Sequence, residues 1–161
     1  MNKSIKESQK IVDQLIKKSF PELRGKKIHI KLKKLKKGSM WANKVLYFYF
    51  LIKIDPRKYK GATNNEISGA LAHELVHFVE FEEMGFFRYI VRYPFYYLSK
   101  KFAQKWELNT DRRTIKRGYA RDLFANRKFR LKRLGKIDKK IIRNYMTPEE
   151  IKSYAKRIGK W

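Results

Sequence analysis

The chain has 161 residues, 43% of them hydrophobic, and its 41 Lys and Arg against 15 Asp and Glu give a net charge of +26. This length and hydrophobic fraction fit one domain with a substantial core, so the high charge does not imply a disordered chain. Because there is no cysteine, disulfides and thiolate metal ligands are excluded, so a metal site must use nitrogen and oxygen atoms.

The positive charge is concentrated in the two flanks of the chain. Basic residues outnumber acidic ones by 13 to 3 in residues 1–40, by 10 to 7 in residues 41–110 and by 18 to 5 in residues 111–161. Such flanks are typical of a solvated lysine-rich surface, which we favour, or of binding to nucleic acid or anionic membrane through counterion release. No nucleic-acid-binding motif accompanies the charge.

The sequence contains no apolar signal segment and no uncharged run long enough to span a bilayer. We therefore expect a cytoplasmic protein, with peripheral membrane contact as the alternative.

The first third of the chain predicts a helix followed by strands. A Ser-Ile-Lys-Glu capping box opens a predicted helix over residues 4–19. Apolar and basic residues alternate over residues 28–32, which predicts a half-buried strand with His29 pointing away from the core. The apolar run over residues 45–54 predicts one long strand covered on both faces, and residues 39–43 predict an edge strand before it.

The rest of the chain predicts helices around an aromatic segment. A Thr-Asn-Asn-Glu capping box opens a predicted helix over residues 64–83, where Gly69 leaves room for a neighbouring backbone. Residues 84–106 are rich in aromatic residues, and Pro94 should break or kink any helix there. We interpret this segment as a hairpin packed over the core; the alternative is an amphipathic lid that contacts membrane, substrate or a second subunit. Further helices are predicted over residues 100–117, 119–132 and 148–158.

The sequence His-Glu-Leu-Val-His, residues 73–77, lies within the predicted 64–83 helix. His73 and His77 are four residues apart and so share one helix face, which lets both imidazoles reach one metal ion. Glu74 lies on nearly the same face and could activate a water bound to that metal. The alternative is a pair of stacked histidines at the surface or in the core. The protein has three histidines in all, and two of them are in this motif.

A catalytic zinc site needs a third protein ligand besides two histidines. No histidine follows His77, so a later ligand must be a carboxylate. Glu107 is the best candidate, because Asp111 lies four residues on and shares its helix face. Asp111 would then accept the free ring N–H of one histidine. Three glutamates on the histidines' own helix cannot easily close the tetrahedron, and we expect them to be solvated: Glu80, Glu82 and Glu83.

The combination of His-Glu-x-x-His on one helix and Glu-x-x-x-Asp on a later helix resembles the pattern of the gluzincin zinc metallopeptidases, the thermolysin-like group. The small size is most similar to the compact minigluzincins. The resemblance covers residues 27–118 and rests on five residues. They are His73, Glu74, His77, Glu107 and Asp111.

The resemblance implies an α+β fold with a small zincin-like domain. A short mixed sheet would pack on an active-site helix and a glutamate helix, and an edge strand would bind extended peptide. Residues 1–161 would form a single metallopeptidase domain. It would consist of an N-terminal helix in residues 1–26, a catalytic core in residues 27–118 and a basic helical C-terminal segment in residues 119–161.

The implied activity is zinc-dependent hydrolysis of peptide bonds in a peptide or protein substrate. By resemblance, a metal-bound water activated by Glu74 would attack the scissile carbonyl, with Zn²⁺ stabilising the oxyanion. Tyr119 and Arg112 are candidates for further oxyanion support because they follow Asp111 in the chain.

Two other functions remain open at the level of sequence. The net charge of +26 fits a basic metal-binding domain that acts at nucleic acid, either an SprT-like protease or a non-enzymatic binder, although SprT-like proteases usually use a third histidine. The other is a metal-stabilised, membrane-peripheral module. We also consider that the isolated peptidase is latent, and that the chain self-associates through residues 84–106 or through the C-terminal tail.

Overall fold

The structure is a computed structural model that describes residues 5–45, 49–133 and 143–161. It is an α+β fold, as the sequence predicts. The helices are α1 (Ile5–Ser19), α2 (Asn64–Met84), α3 (Phe86–Leu98), α4 (Lys100–Thr114), α5 (Ala120–Arg133) and α6 (Pro148–Arg157), and the strands are β1 (Ile28–Leu32), β2 (Met40–Val45) and β3 (Tyr49–Ile54).

The three strands form one mixed sheet in the order β1-β3-β2. β1 runs parallel to β3, and β2 runs antiparallel to it. Val45 pairs with Tyr49, so the chain reverses between these residues and the prediction of one strand over residues 45–54 is wrong. The intervening residues 46–48 lie outside the described part of the chain, and their apolar side chains give no turn signal. The predicted edge strand is confirmed as β2, at the end of the sheet.

The first helix and strand follow the predicted patterns. α1 buries Ile11, Val12 and Leu15, whereas Ser4, the first residue of the predicted capping box, lies outside the described residues. In β1 the alternation of buried and exposed residues is as expected, with His29 exposed. The exposed His29 ring stacks on Tyr49, 4.6 Å between ring centroids.

Helix α2 runs through the middle of the protein and carries the motif histidines. Thr63 and Glu66 form the predicted capping box at its start. Residues on nearly all its faces are buried, because α1, the sheet, α4 and α5 all pack against it. Gly69 is where α5 comes closest: a Cβ atom at this position would lie 2.2 Å from the carbonyl oxygen of Asp122. The room predicted at Gly69 is therefore filled by the backbone of α5.

Residues 86–98 form helix α3, which packs back on α4 after Ser99, so the predicted hairpin is one of two helices rather than strands. Pro94 lies inside α3, although it removes one backbone hydrogen bond and its ring crowds the preceding turn. Aromatic packing against neighbouring helices offsets this cost: Tyr89 packs on Phe81 of α2 at 4.5 Å, and Tyr96 packs on Trp106 of α4 at 6.1 Å.

The C-terminal helices follow a sharp change of direction. A π-helical turn, Ile115–Tyr119, joins α4 to α5, and Gly118 adopts a φ of 93° within it, a conformation that favours glycine. α6 begins with a capping box formed by Thr147 and Glu150. Among the described residues, no helix is long and apolar enough to cross a bilayer.

Candidate metal centre

Helices α2 and α4 bring together the three predicted metal ligands. One ligating atom from each of His73, His77 and Glu107 lies within 4.8 Å of the others. Glu107 Oε2 is 3.1 Å from His73 Nε2 and 3.4 Å from His77 Nε2. A tetrahedral zinc ion with bonds of about 2.0–2.2 Å separates its ligand atoms by about 3.3 Å. The residues present therefore fit a zinc ion.

Each histidine has a carboxylate at its other ring nitrogen. His73 Nδ1 lies 2.8 Å from Asp111 Oδ1, and His77 Nδ1 lies 3.3 Å from Glu80 Oε2. A carboxylate at Nδ1 favours the tautomer with the proton on that nitrogen, which leaves the Nε2 lone pair available to a metal. Both Nε2 atoms face Glu107, so the two rings are oriented for one shared ion.

Glu80 is not solvated, contrary to the expectation from sequence. It is 5% exposed, and donors from α4 replace water around its carboxylate. Trp106 Nε1 donates at 2.7 Å, Thr110 Oγ1 at 3.1 Å and Asn109 Nδ2 at 3.3 Å. These charge-assisted hydrogen bonds offset the unfavourable position of an acid near the C-terminal end of a helix.

The other two glutamates on α2 pair with basic residues near the surface. Glu82 accepts from Lys26 and Lys44. Glu83, whose side chain is 51% exposed, pairs with Arg113. Three acids within four positions of one helix thus have different environments.

Asp111 is held by groups that sequence reasoning missed. Arg127 of α5 donates to both its carboxylate oxygens, at 2.9 and 3.0 Å, and the backbone N–H of Met146 donates at 2.8 Å. Asp111 is fully buried and Arg127 is 2% exposed. The orientation of His73 therefore depends on α4, on α5 and on the segment before α6.

Glu74 is anchored to the edge strand of the sheet. Its Oε2 accepts a hydrogen bond of 2.7 Å from the backbone N–H of Ala42 in β2. Glu74 also lines a cavity of about 60 Å³ together with His77 and Glu107. The carboxylate thus sits beside the candidate ligands with one of its oxygens fixed.

Two tyrosines that the sequence analysis did not name as site residues line the same cavity. Tyr96 of α3 donates a hydrogen bond to Glu107 Oε1. The ring of Tyr145 lies 5.5 Å from that of His73, and the guanidinium groups of Arg127 and Arg130 pack on its face. An aromatic-rich sequence gives no means of selecting these two from the ten tyrosines.

Compared with known proteins, this chain matches no family model, no curated protein and no solved structure.

The structure does not bring Tyr119 or Arg112 to the cavity. The Tyr119 hydroxyl donates to Ser19 Oγ at 3.0 Å and its ring stacks on Phe20, because the turn at Gly118 directs this part of the chain toward α1. Arg112 is exposed, since one residue beyond the inward-facing Asp111 lies about 100° around the helix.

The electrostatics of the cluster favour charged groups when no metal is bound. Burial alone would raise the pKa of Glu107, but the charges of His77 and His73 and their hydrogen bonds outweigh it and hold the pKa below its usual value. Burial would lower the pKa of both histidines, but the carboxylates of Asp111 and Glu107 raise that of His73, and Glu107 and Glu80 raise that of His77. A metal ion must therefore compete with protons for these imidazoles.

Proposed function

We propose that this protein is a zinc-dependent metallopeptidase of the gluzincin type. The observation that carries the proposal is the spacing of the three candidate ligands. Glu107 Oε2 lies 3.1 Å from His73 Nε2 and 3.4 Å from His77 Nε2, and the anchored carboxylate of Glu74 lies beside them. The position of α2 and α4, with the edge strand β2 along the cavity, supports a zincin-like arrangement.

A zinc ion held by these residues would supply Lewis acidity, which polarises a substrate carbonyl and lowers the pKa of a water molecule. Glu74 acts as the general base: the hydrogen bond from Ala42 holds one of its oxygens and leaves the other to accept the proton of the attacking water. The same carboxyl group then donates that proton to the leaving amine.

Strand β2 provides a binding edge for an extended peptide. β3 pairs with one side of β2, and the Ala42 N–H points to the other side, toward Glu74. Because backbone groups alternate along a strand, those of Met40 and Lys44 point to the same side of β2 as the Ala42 N–H. A substrate strand added there would pass over the cavity.

Tyr145 is our candidate donor to the oxyanion. Burial, together with the negative charge of Glu107, raises its pKa well above the usual value, so its hydroxyl stays protonated and can donate. Among the described residues, no hydrogen-bond partner of this hydroxyl is found, whereas the Tyr96 hydroxyl already donates to Glu107. A protonated hydroxyl beside the ligands is suited to stabilising a developing negative charge.

The proposal is tested by elemental analysis of zinc and by hydrolysis of an unfolded protein substrate. We expect one zinc per chain in the wild type. Glu74→Gln should keep the zinc and lose activity by about a thousandfold or more, and Tyr145→Phe should keep the zinc and lose about a hundredfold. Glu107→Ala should lose zinc and activity together. Glu83→Gln, a surface change on the same helix as Glu74, is the control.

The outcomes separate the mechanism from the metal site. Full activity of Glu74→Gln with normal zinc content would exclude Glu74 as the base. Zinc retained by Glu107→Ala would show that a residue other than Glu107 is the third ligand. A wild-type protein that binds no zinc would refute the proposal.

A further inference from the structure

Helix α3 has two apolar faces. Its inner face carries Tyr89, Tyr93 and Tyr96, of which the first packs on α2 and the last donates to Glu107. The opposite face carries Val91 and Leu98, which are 65% and 82% exposed. These two residues are seven apart and lie within about 20° of each other around the helix. We call this the outer stripe, and it also includes Phe87, Ile90 and Phe95, which are 83%, 50% and 51% exposed.

Basic side chains border the outer stripe. Arg88 and Arg92 lie four residues apart, and α3 contains no acidic residue. Both arginines line a cavity of about 570 Å³ between α2, α3 and α4, together with Lys105 and Arg113. Lys100 and Lys101 follow immediately after the helix. The stripe therefore lies beside a surface of strong positive charge.

The carboxylates of this cavity are already engaged. Glu83 forms a two-point ion pair with Arg113, and Glu80 is held by Trp106 and its neighbours on α4. Within the described residues, Arg88, Arg92 and Lys105 have no ion-pair partner. A cavity of this size with unbalanced arginines suits an anionic group, which planar guanidinium groups bind well.

We propose that α3 is an interfacial helix that docks this protein on an anionic membrane surface. The outer stripe enters the boundary between headgroups and acyl chains, while Arg88, Arg92 and Lys105 bind a lipid phosphate. This proposal does not rest on peptidase activity. It would, however, place the smaller cavity, the one that Glu107 lines, close to the membrane.

Charge and apolarity together select the lipid surface over other partners. A second copy of the chain also carries a net charge of +26, and a two-fold contact through α3 would bring Arg88 and Arg92 of both copies together. Nucleic acid would satisfy the arginines but would leave Val91 and Leu98 without an apolar environment. An anionic membrane satisfies both requirements.

The test is sedimentation with vesicles of phosphatidylcholine alone and of phosphatidylcholine with about one third phosphatidylglycerol, near physiological ionic strength. The wild type should bind the anionic vesicles and should bind the neutral vesicles much more weakly. The double variant Val91→Asp with Leu98→Asp should bind anionic vesicles at least about tenfold more weakly than the control double variant does. The control is Ile5→Asp with Leu131→Asp. The control adds the same charge at exposed apolar positions of α1 and α5.

A second pair of variants tests the basic cavity. Arg88→Gln with Arg92→Gln should weaken binding by roughly thirtyfold, and Lys10→Gln with Lys17→Gln, the same charge change on α1, should have a much smaller effect. Circular dichroism and urea unfolding establish that each variant is folded.

Two results would overturn the proposal. If each α3 pair behaves like its control, vesicle binding is a general effect of the net charge. If sedimentation equilibrium shows a dimer that Val91→Asp with Leu98→Asp dissociates, the outer stripe is an interface between copies of the chain.

Discussion

At the scale of single residues, the candidate site is organised around carboxylates that are not themselves candidate metal ligands. Asp111 holds His73 and Glu80 holds His77, and each acid is buried and receives several hydrogen bonds. Such outer partners fix the tautomer and the orientation of a ligand, and their loss typically costs tenfold to hundredfold in metal affinity. Glu80 is therefore placed to orient His77 as Asp111 orients His73, which its position in the sequence does not reveal.

We predict that Glu80→Gln lowers zinc affinity by about tenfold to hundredfold. The amide would present N–H groups to Trp106 and Thr110, which are themselves donors to Glu80, and it would hold His77 less firmly. Competition with a chelator measures the affinity.

Glu83→Gln serves as the matched control, because it makes the same change three positions along α2 at a side chain that is 51% exposed. Equal zinc affinity in the two variants would show that Glu80 does not position His77.

At the scale of elements, the site depends on how closely α5 packs on α2. Gly69 of α2 lies against the backbone of Asp122 in α5, and α5 also carries Arg127, which donates to both oxygens of Asp111. The close approach at Gly69 thus positions the group that holds Asp111, and through it His73.

Gly69→Ala should lower the free energy of unfolding by about 3 kcal/mol and weaken zinc binding in the protein that remains folded. The added Cβ would lie 2.2 Å from Asp122 O and 2.4 Å from Asp122 C, so the α5 backbone must move and take Arg127 with it. Urea unfolding and chelator competition measure the two effects.

Ser68→Ala, the neighbouring position on the same helix, controls for the change in helix propensity. Unchanged stability in Gly69→Ala would mean that α2 and α5 separate at little cost.

The parts of this protein that were predictable from sequence are those that depend on local residue spacing with the period of a helix or a strand. The spacing of His73 and His77, and of Glu107 and Asp111, follows from helix periodicity, and the structure places all four side chains together. The reversal after Val45 was not predictable, because an apolar run without turn residues reads as one strand.

The supporting residues of the site were not predictable for a different reason. Arg127, Tyr145 and the N–H of Met146 come from segments distant in sequence, and tertiary packing alone brings them to Asp111 and His73. Single-sequence patterns carry no information on such contacts. The continuity of α3 through Pro94 likewise depends on packing against α2 and α4.

At the scale of the whole molecule, the net charge of +26 opposes the compact state. Like charges repel more strongly in the folded chain than in the expanded unfolded chain, and salt screens this repulsion. Salt also weakens exposed ion pairs such as Arg117–Glu22, but each such pair contributes only about 0–1 kcal/mol. With 41 basic residues against 15 acidic ones, repulsion is the larger effect.

We therefore predict that the free energy of unfolding rises as NaCl increases from about 0.05 to 0.5 M, while the affinity for anionic vesicles falls over the same range. The two responses have opposite signs because salt screens repulsion within the chain in one case and attraction to lipid phosphate in the other. Urea, which is uncharged, is the denaturant, and zinc is kept saturating so that metal binding does not vary. Stability that falls with NaCl would mean that ion pairs, rather than net charge, dominate the electrostatics of this fold.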